Sequence, residues 1–150
     1  MKRIFALLLI AVLLPAACFS ESKLSTLPLV FSNEYADIYF DTIAIEYNAM
    51  LVYCVCENKT DKDLSFRMKR FLVNKWDIVT SPTFDGFFRV SAGSRKRDCF
   101  RFDEACTASG IFDPDDITSI DFSLELSPWS GSKVIFSQDD YTHYDLPREE

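Results

Sequence analysis

The chain reads as an all-β protein, an antiparallel two-sheet sandwich of immunoglobulin-like type with one or two short helical turns. Three observations carry that expectation. About nine short runs of β-forming residues recur at near-regular spacing with turn residues between them. Residues 117–126 alternate Ile120, Phe122, Leu124 and Leu126 against Ser119, Asp121, Ser123 and Glu125, the period of a strand with one face in a core and one in water. Only residues 103–109 invite a helix, and Gly110 stops it within a turn or two. A closed β-barrel is the other architecture compatible with the pattern.

In chain order, Lys2 and Arg3 precede an uncharged apolar run over 4–14 and the small residues Pro15, Ala16 and Ala17, which is the order of an export signal over residues 1–17. The apolar run falls short of the roughly 20 residues that cross a bilayer. Cys18 stands where a bacterial lipoprotein signal places its lipidated cysteine, although Pro15 occupies a position where that signal usually carries Leu. Ordinary cleavage near 18–20, giving a secreted chain, is the alternative to a cell-envelope lipoprotein. Residues 18–28 are rich in Ser, Thr and charge and are expected to form a flexible tether.

The body is expected over 29–140. Strands are expected at 29–31, 38–40 and 42–47, then at 51–56 and 64–73, two arms joined by the polar turn Glu57-Asn58-Lys59-Thr60-Asp61-Lys62-Asp63. Both faces of the 51–56 arm are apolar, which makes it a central strand. A turn is expected at 74–77, a strand at 78–80, a break at Ser81-Pro82, and an aromatic strand over 84–90 in which Gly86 marks a bulge. Residues 91–94 turn the chain into the basic triplet Arg95-Lys96-Arg97, read as a solvated edge, and a strand at 99–102.

Asp113-Pro114-Asp115-Asp116 places a capping side chain before a proline and two acids in a first turn, the signature of a brief helical turn. A calcium loop is a poorer fit, because such loops need more oxygen ligands around a central glycine. After the 117–126 strand come a turn at 127–131, a last strand at 134–136, and a polar tail at 141–150 expected to lose order toward its end.

The Asn58-Lys59-Thr60-Asp61-Lys62 turn after an apolar strand, Gly93-Ser94-Arg95-Lys96, and Ile117-Thr118-Ser119-Ile120-Asp121-Phe122 together resemble uncharacterised exported domains of bacteria. Such domains show an Asn-Asn-Thr-Asp-Lys turn, a Gly-Lys-Lys turn and an Ile-x-x-Ile-x-Phe strand. The resemblance spans about residues 51–126 and implies an immunoglobulin-like sandwich carried on a lipoprotein, with no catalytic residue to transfer.

The inventory of reactive groups narrows the function classes. The formal net charge is −7, and it becomes more negative once Lys2 and Arg3 are removed, which argues against a nucleic-acid partner. His143 is the single histidine and lies in the polar tail, so Ser-His and Cys-His hydrolases and histidine-rich metal sites are excluded. No metal or cofactor is expected. Cys54, Cys56, Cys99 and Cys106 form an even set in an exported domain. Any bridge is expected to join the 51–56 strand to 99–106, because two cysteines separated by one residue on a strand cannot comfortably pair. Buried free thiols are the other reading, and a zinc site fits the spacing poorly.

These residues predict a non-catalytic binding or accessory module, exposed at the surface or secreted, with the membrane engaged through a lipid anchor and a protein or glycan as partner. The alternative is a carboxylate-dependent hydrolase, or a subunit of one, acting on envelope or extracellular polymers. Among the aromatics in or beside turns, Trp76, Phe84, Phe87, Phe88 and Trp129, the two indoles are the candidates for partner contact, since each is flanked by polar or turn residues.

Overall fold

A computed structural model describes residues 26–78, 87–131 and 133–147. The export signal, Cys18 and most of the tether, Phe84, Gly86 and all but Ile78 of the expected 78–80 strand lie outside these residues.

Among the described residues ten strands form two antiparallel sheets. The first sheet contains β1 (Leu29–Ser32), β2 (Ala36–Glu46), β3 (Ala49–Asn58) and β7 (Arg95–Phe102), in that order across the sheet. The second runs β10 (Thr142–Asp145), β8 (Ser119–Pro128), β4 (Leu64–Val73) and β5 (Trp76–Asp77). The short strand β6 (Phe87–Val90) also pairs with β4, and β9 (Phe136–Ser137) with β8. The chain crosses between sheets from β3 to β4, returns from β6 to β7, and crosses again from β7 to β8. That Greek-key path makes the sandwich immunoglobulin-like.

The alternation expected from sequence sets the core. On β3, Met50, Val52, Cys54 and Cys56 face inward, and on β8 so do Ile120, Phe122, Leu124 and Leu126, all buried. Phenylalanines close the gap between sheets. Phe71 stacks on Phe102 with ring centroids 4.3 Å apart, and Phe88 lies between Phe66 at 5.9 Å and Phe100 at 4.8 Å.

Several expectations need correction. The runs 38–40 and 42–47 are one strand, β2, interrupted by a bulge between Phe40 and Thr42 that shifts the register. The expected 74–77 turn is tighter. Asn74 and Lys75 both take positive φ, 50° and 71°, and pair Val73 with Trp76, so β5 begins inside the predicted turn.

The basic triplet lies within β7, on the edge of its sheet among the described residues. Its charges are matched by Glu57 to Arg95 at 2.9 Å, Asp98 to Lys96 at 2.6 Å and Asp41 to Arg97 at 2.6 Å. The sandwich also does not end at 140. Thr142 to Asp145 pair along β8 from Phe122 to Ser119, and the Tyr144 ring packs 5.3 Å from Phe40. Half-exposed polar strands carry little apolar period, and this one is held by its ladder and one ring.

The two ends of the sandwich differ. At the upper end, the 59–63 turn and the 91–94 turn converge on Asn58, which is 1% exposed, and the end of β8 joins the first of these turns at Asp63. Its amide nitrogen donates to the carbonyls of Lys62, Val90 and Ser91, and its Oδ1 accepts from Thr60 N and Oγ1. At the lower end lie the β2–β3 turn, the β4–β5 turn, the short helix α1 (Ala105–Ser109) and the 3-10 turn Pro114–Asp116.

Candidate partner-binding surfaces

The register settles the cysteines first. Tyr53 pairs with Cys99 and Cys54 with Asp98, so Cys99 lies on the outer face of its sheet while Cys54 and Cys56 face the core. Cys106 sits in α1 below the start of β3. All four are free thiols, which corrects the expected bridge between the 51–56 strand and 99–106. Strand parity, which sequence spacing does not fix, puts Cys99 on the opposite face from Cys54 and Cys56, and Cys106 lies in the helix rather than on a strand. Burial pushes the Cys54 thiol up to about 12, with Asp41 and Cys99 adding to the rise, and pushes Cys56 well above its ordinary value. Such thiols fill core volume and are poor nucleophiles.

Carboxylates are placed for structure. Asp113 caps the 3-10 turn by accepting from Asp115 N at 3.0 Å, as its place before Pro114 suggested. Among the described residues no group of three or more His, Cys, Asp or Glu side chains is placed to hold a metal ion. One open groove of about 850 Å³, lined by Phe40, Asp41, Ile43, Asp115, Asp116 and Leu146 among others, brings acids together. There Asp41 is drawn onto Arg97, and Asp115 and Asp116 stand exposed in water. An acid catalyst needs a carboxyl held out of water beside its partner, and the groove does not provide that.

His143, expected in a tail, lies on β10 between two acids, with Nδ1 2.7 Å from Asp121 and Nε2 3.1 Å from Asp145. The hydrogen bond to Asp121, reinforced by both negative charges, holds the imidazole above its ordinary pKa. It ties β10 to β8, and both ring nitrogens are engaged by carboxylates.

Both indoles are exposed, Trp76 by 61% and Trp129 by 44%, but they sit at opposite ends of β4. They belong to two separate surfaces. Trp129 follows β8, where its N–H donates to the Asp63 carbonyl at 2.8 Å, and this continues the ladder one step beyond Pro128. Its ring therefore lies on the outer face of the second sheet. Phe87, 46% exposed, stands 6.0 Å from it, and the Arg89 guanidinium lies 5.5 Å over its face.

Asp63 fixes Arg89 from below by accepting its Nε at 2.9 Å, and it also accepts Ala92 N at 2.9 Å. The Ala92 bond first, and the Arg89 bonds next, hold the Asp63 carboxyl below the usual range. The register sets Arg67 beside Phe87 on the same face, 3.8 Å from Glu125. Phe88, one residue on from Phe87, points inward at 6% exposure and is core. Arg89 was not legible as part of this surface, because only the β4–β6 register brings it to the indole.

At the lower end Trp76 shares its exposure with two aromatics absent from the sequence candidates, Tyr47 at 100% and Phe112 at 63%. Their signal was present in the sequence, since each sits in a turn beside a carboxylate, Glu46 and Asp113.

No protein-family model matches the chain, and none of the curated proteins compared with it matches. Among solved structures it is similar to the yeast GGA1 GAE domain–P21 crystal structure, with a TM-score of 0.38 and 9% identity, covering 79% of this chain and 97% of that one. The GAE domain of GGA2p from Saccharomyces cerevisiae gives a TM-score of 0.38 and 14% identity, with coverages of 81% and 97%. A protein from Archaeoglobus fulgidus gives 0.34 and 9%, with coverages of 79% and 100%. The fold class rests on the strand pairing itself.

Proposed function

We propose that this protein is an exported, non-catalytic binding module that engages a partner through the outer face of its second sheet. The observation that carries the proposal is the Trp129, Phe87 and Arg89 cluster. It is a partly exposed indole with a ring on one side and a guanidinium over its face, mounted on paired strands. Aromatic and arginine side chains dominate binding energy at interfaces because they bury large area at small entropic cost. Arg67, well exposed and 3.8 Å from Glu125 at its nearest approach, favours a protein partner bearing carboxylates over a neutral glycan, whereas Arg89 is held by Asp63 against the indole.

Binding titrations of the full chain against envelope proteins and surface glycans test this reading. With the partner found, Trp129→Ala is expected to weaken binding by at least about 1 kcal/mol while leaving the melting temperature nearly unchanged. Unaltered binding of Trp129→Ala and Phe87→Ala to every partner found overturns it. The module is held at the cell envelope by a lipid on Cys18. Mass spectrometry of protein from its native host is expected to show an acylated Cys18 at the amino terminus. A soluble chain beginning after Cys18 overturns the anchor and leaves export standing.

A further inference from the structure

We infer that the lower end of the sandwich is a second docking surface, separate from the Trp129 face, and that it receives a protein segment in which Lys or Arg alternates with apolar side chains. Three turns each present one large aromatic there: Tyr47 between β2 and β3, Trp76 between β4 and β5, and Phe112 between α1 and the 3-10 turn. These are three of the most exposed large apolar residues described, and they share one end of the molecule. Elsewhere among the described residues the phenylalanines other than Phe87 and Phe136 are buried.

The turns are locked to one another. Asn48, next to Tyr47, accepts from Thr107 N at 2.9 Å and Thr107 Oγ1 at 2.8 Å, and its carbonyl accepts from Cys106 N at 3.3 Å. Asn74, two residues before Trp76, accepts from Thr118 N at 2.8 Å and Ser119 N at 3.2 Å, and it donates to the Asp116 carbonyl at 2.8 Å. One asparagine thus fastens the Tyr47 turn to the start of the segment that carries Phe112, and another fastens the Trp76 turn to its end. Turns whose backbones are fixed before binding lose less entropy on binding.

Tyr47 adds an independent sign. Its φ is 59°, in the left-handed region where glycine and asparagine are at ease, and its ring meets nothing. A fully exposed aromatic in a strained backbone position contributes no packing, so its value lies outside the folded chain.

Charge selects the occupant. Each tip has a carboxylate as its sequence neighbour, Glu46, Asp77 and Asp113, and Asp103, Glu104, Asp115 and Asp116 lie on the same end, against Lys75, Arg101 paired with Asp103, and Arg70, whose charge faces Asp77. An anionic bilayer is repelled by such a surface, and a second copy would bring the same acids face to face. A basic and apolar protein segment matches both its rings and its charge.

Site-specific photocrosslinking in the native host tests the inference, with p-benzoylphenylalanine placed at 47, 76 or 112 of the full chain, and at 87 as a control. The expected result is one partner peptide, richer in Lys and Arg than in Asp and Glu, captured from all three lower-end positions and not from 87. Tyr47→Asn is expected to cut the yield from 112 by about tenfold with no fall in melting temperature, and Glu46→Lys to do the same. Lipid adducts, capture of another copy of this chain, an acidic peptide, different partners from the three positions, or no capture at all overturn it.

Discussion

At the residue scale the molecule turns on a few polar side chains whose partners are distant in sequence. Asn58 is the clearest. Buried at 1%, it ties the 59–63 turn to the carbonyls of Val90 and Ser91. Replacing it by Ala strands those carbonyls and the Thr60 N–H, so Asn58→Ala is expected to cost about 3 kcal/mol in denaturant unfolding. His143 acts in the opposite sense to a buried group. Asp121 and Asp145 raise its pKa in the folded chain, so its contribution to stability is full below the unfolded value of about 6.5 and is lost as pH rises through the raised value. A titration of the imidazole protons by NMR is expected to show a midpoint above 6.5, and Asp121→Asn to bring it down toward that value. Sequence announced the first of these residues only in part. The Asn-x-Thr turn was legible because an asparagine can bond its own neighbours, whereas its reach across to the 91–94 turn depends on the packing of β4 against β6. The cysteines show the same limit. Their even number suggested bridges, and a one-residue question of strand parity set Cys99 on the face away from Cys54 and Cys56.

At the element scale, strands with a strong apolar alternation were legible and those held by their neighbours were not. β4 falls on the predicted residues and β8 within two of them at each end, since both have buried inner faces that leave only one register. β10 escaped notice because its exposed and half-buried residues alternate without a true apolar face, and its pairing to β8 supplies what its own side chains lack. The exception is Tyr144, whose ring lies against Phe40. Tyr144→Ala is expected to lower stability by about 2 kcal/mol and to raise amide exchange from 142 to 145 selectively. Uniform loss of protection across both sheets would contradict that local role. The two indoles carry a similar lesson. Both were legible as exposed turn residues, but only the length of β4 shows that they serve different ends.

At the scale of the whole molecule, the excess of acid is distributed unevenly. Arg67, Lys69, Arg70 and Arg89 collect along the second sheet, whereas acids gather at the lower end. Composition gives the total and not the division, which only topology sets. The rings join the two ends of the chain as well. Phe31 of the first strand lies 5.5 Å from Phe136 of the ninth, and Phe40 of the second against Tyr144 of the tenth, contacts that span about a hundred residues. A chain made from its amino terminus therefore produces its first strands long before the residues that cover them. The first sheet must wait, with Phe31 and Phe40 uncovered, until the last strands emerge. A chain ending at residue 135 is expected to be digested by protease about as fast as the unfolded protein, while the full chain resists; protection of the shortened form would show that the sandwich closes early. For the export proposed above, such late completion is an advantage, because the thread stays pliable while it passes the membrane.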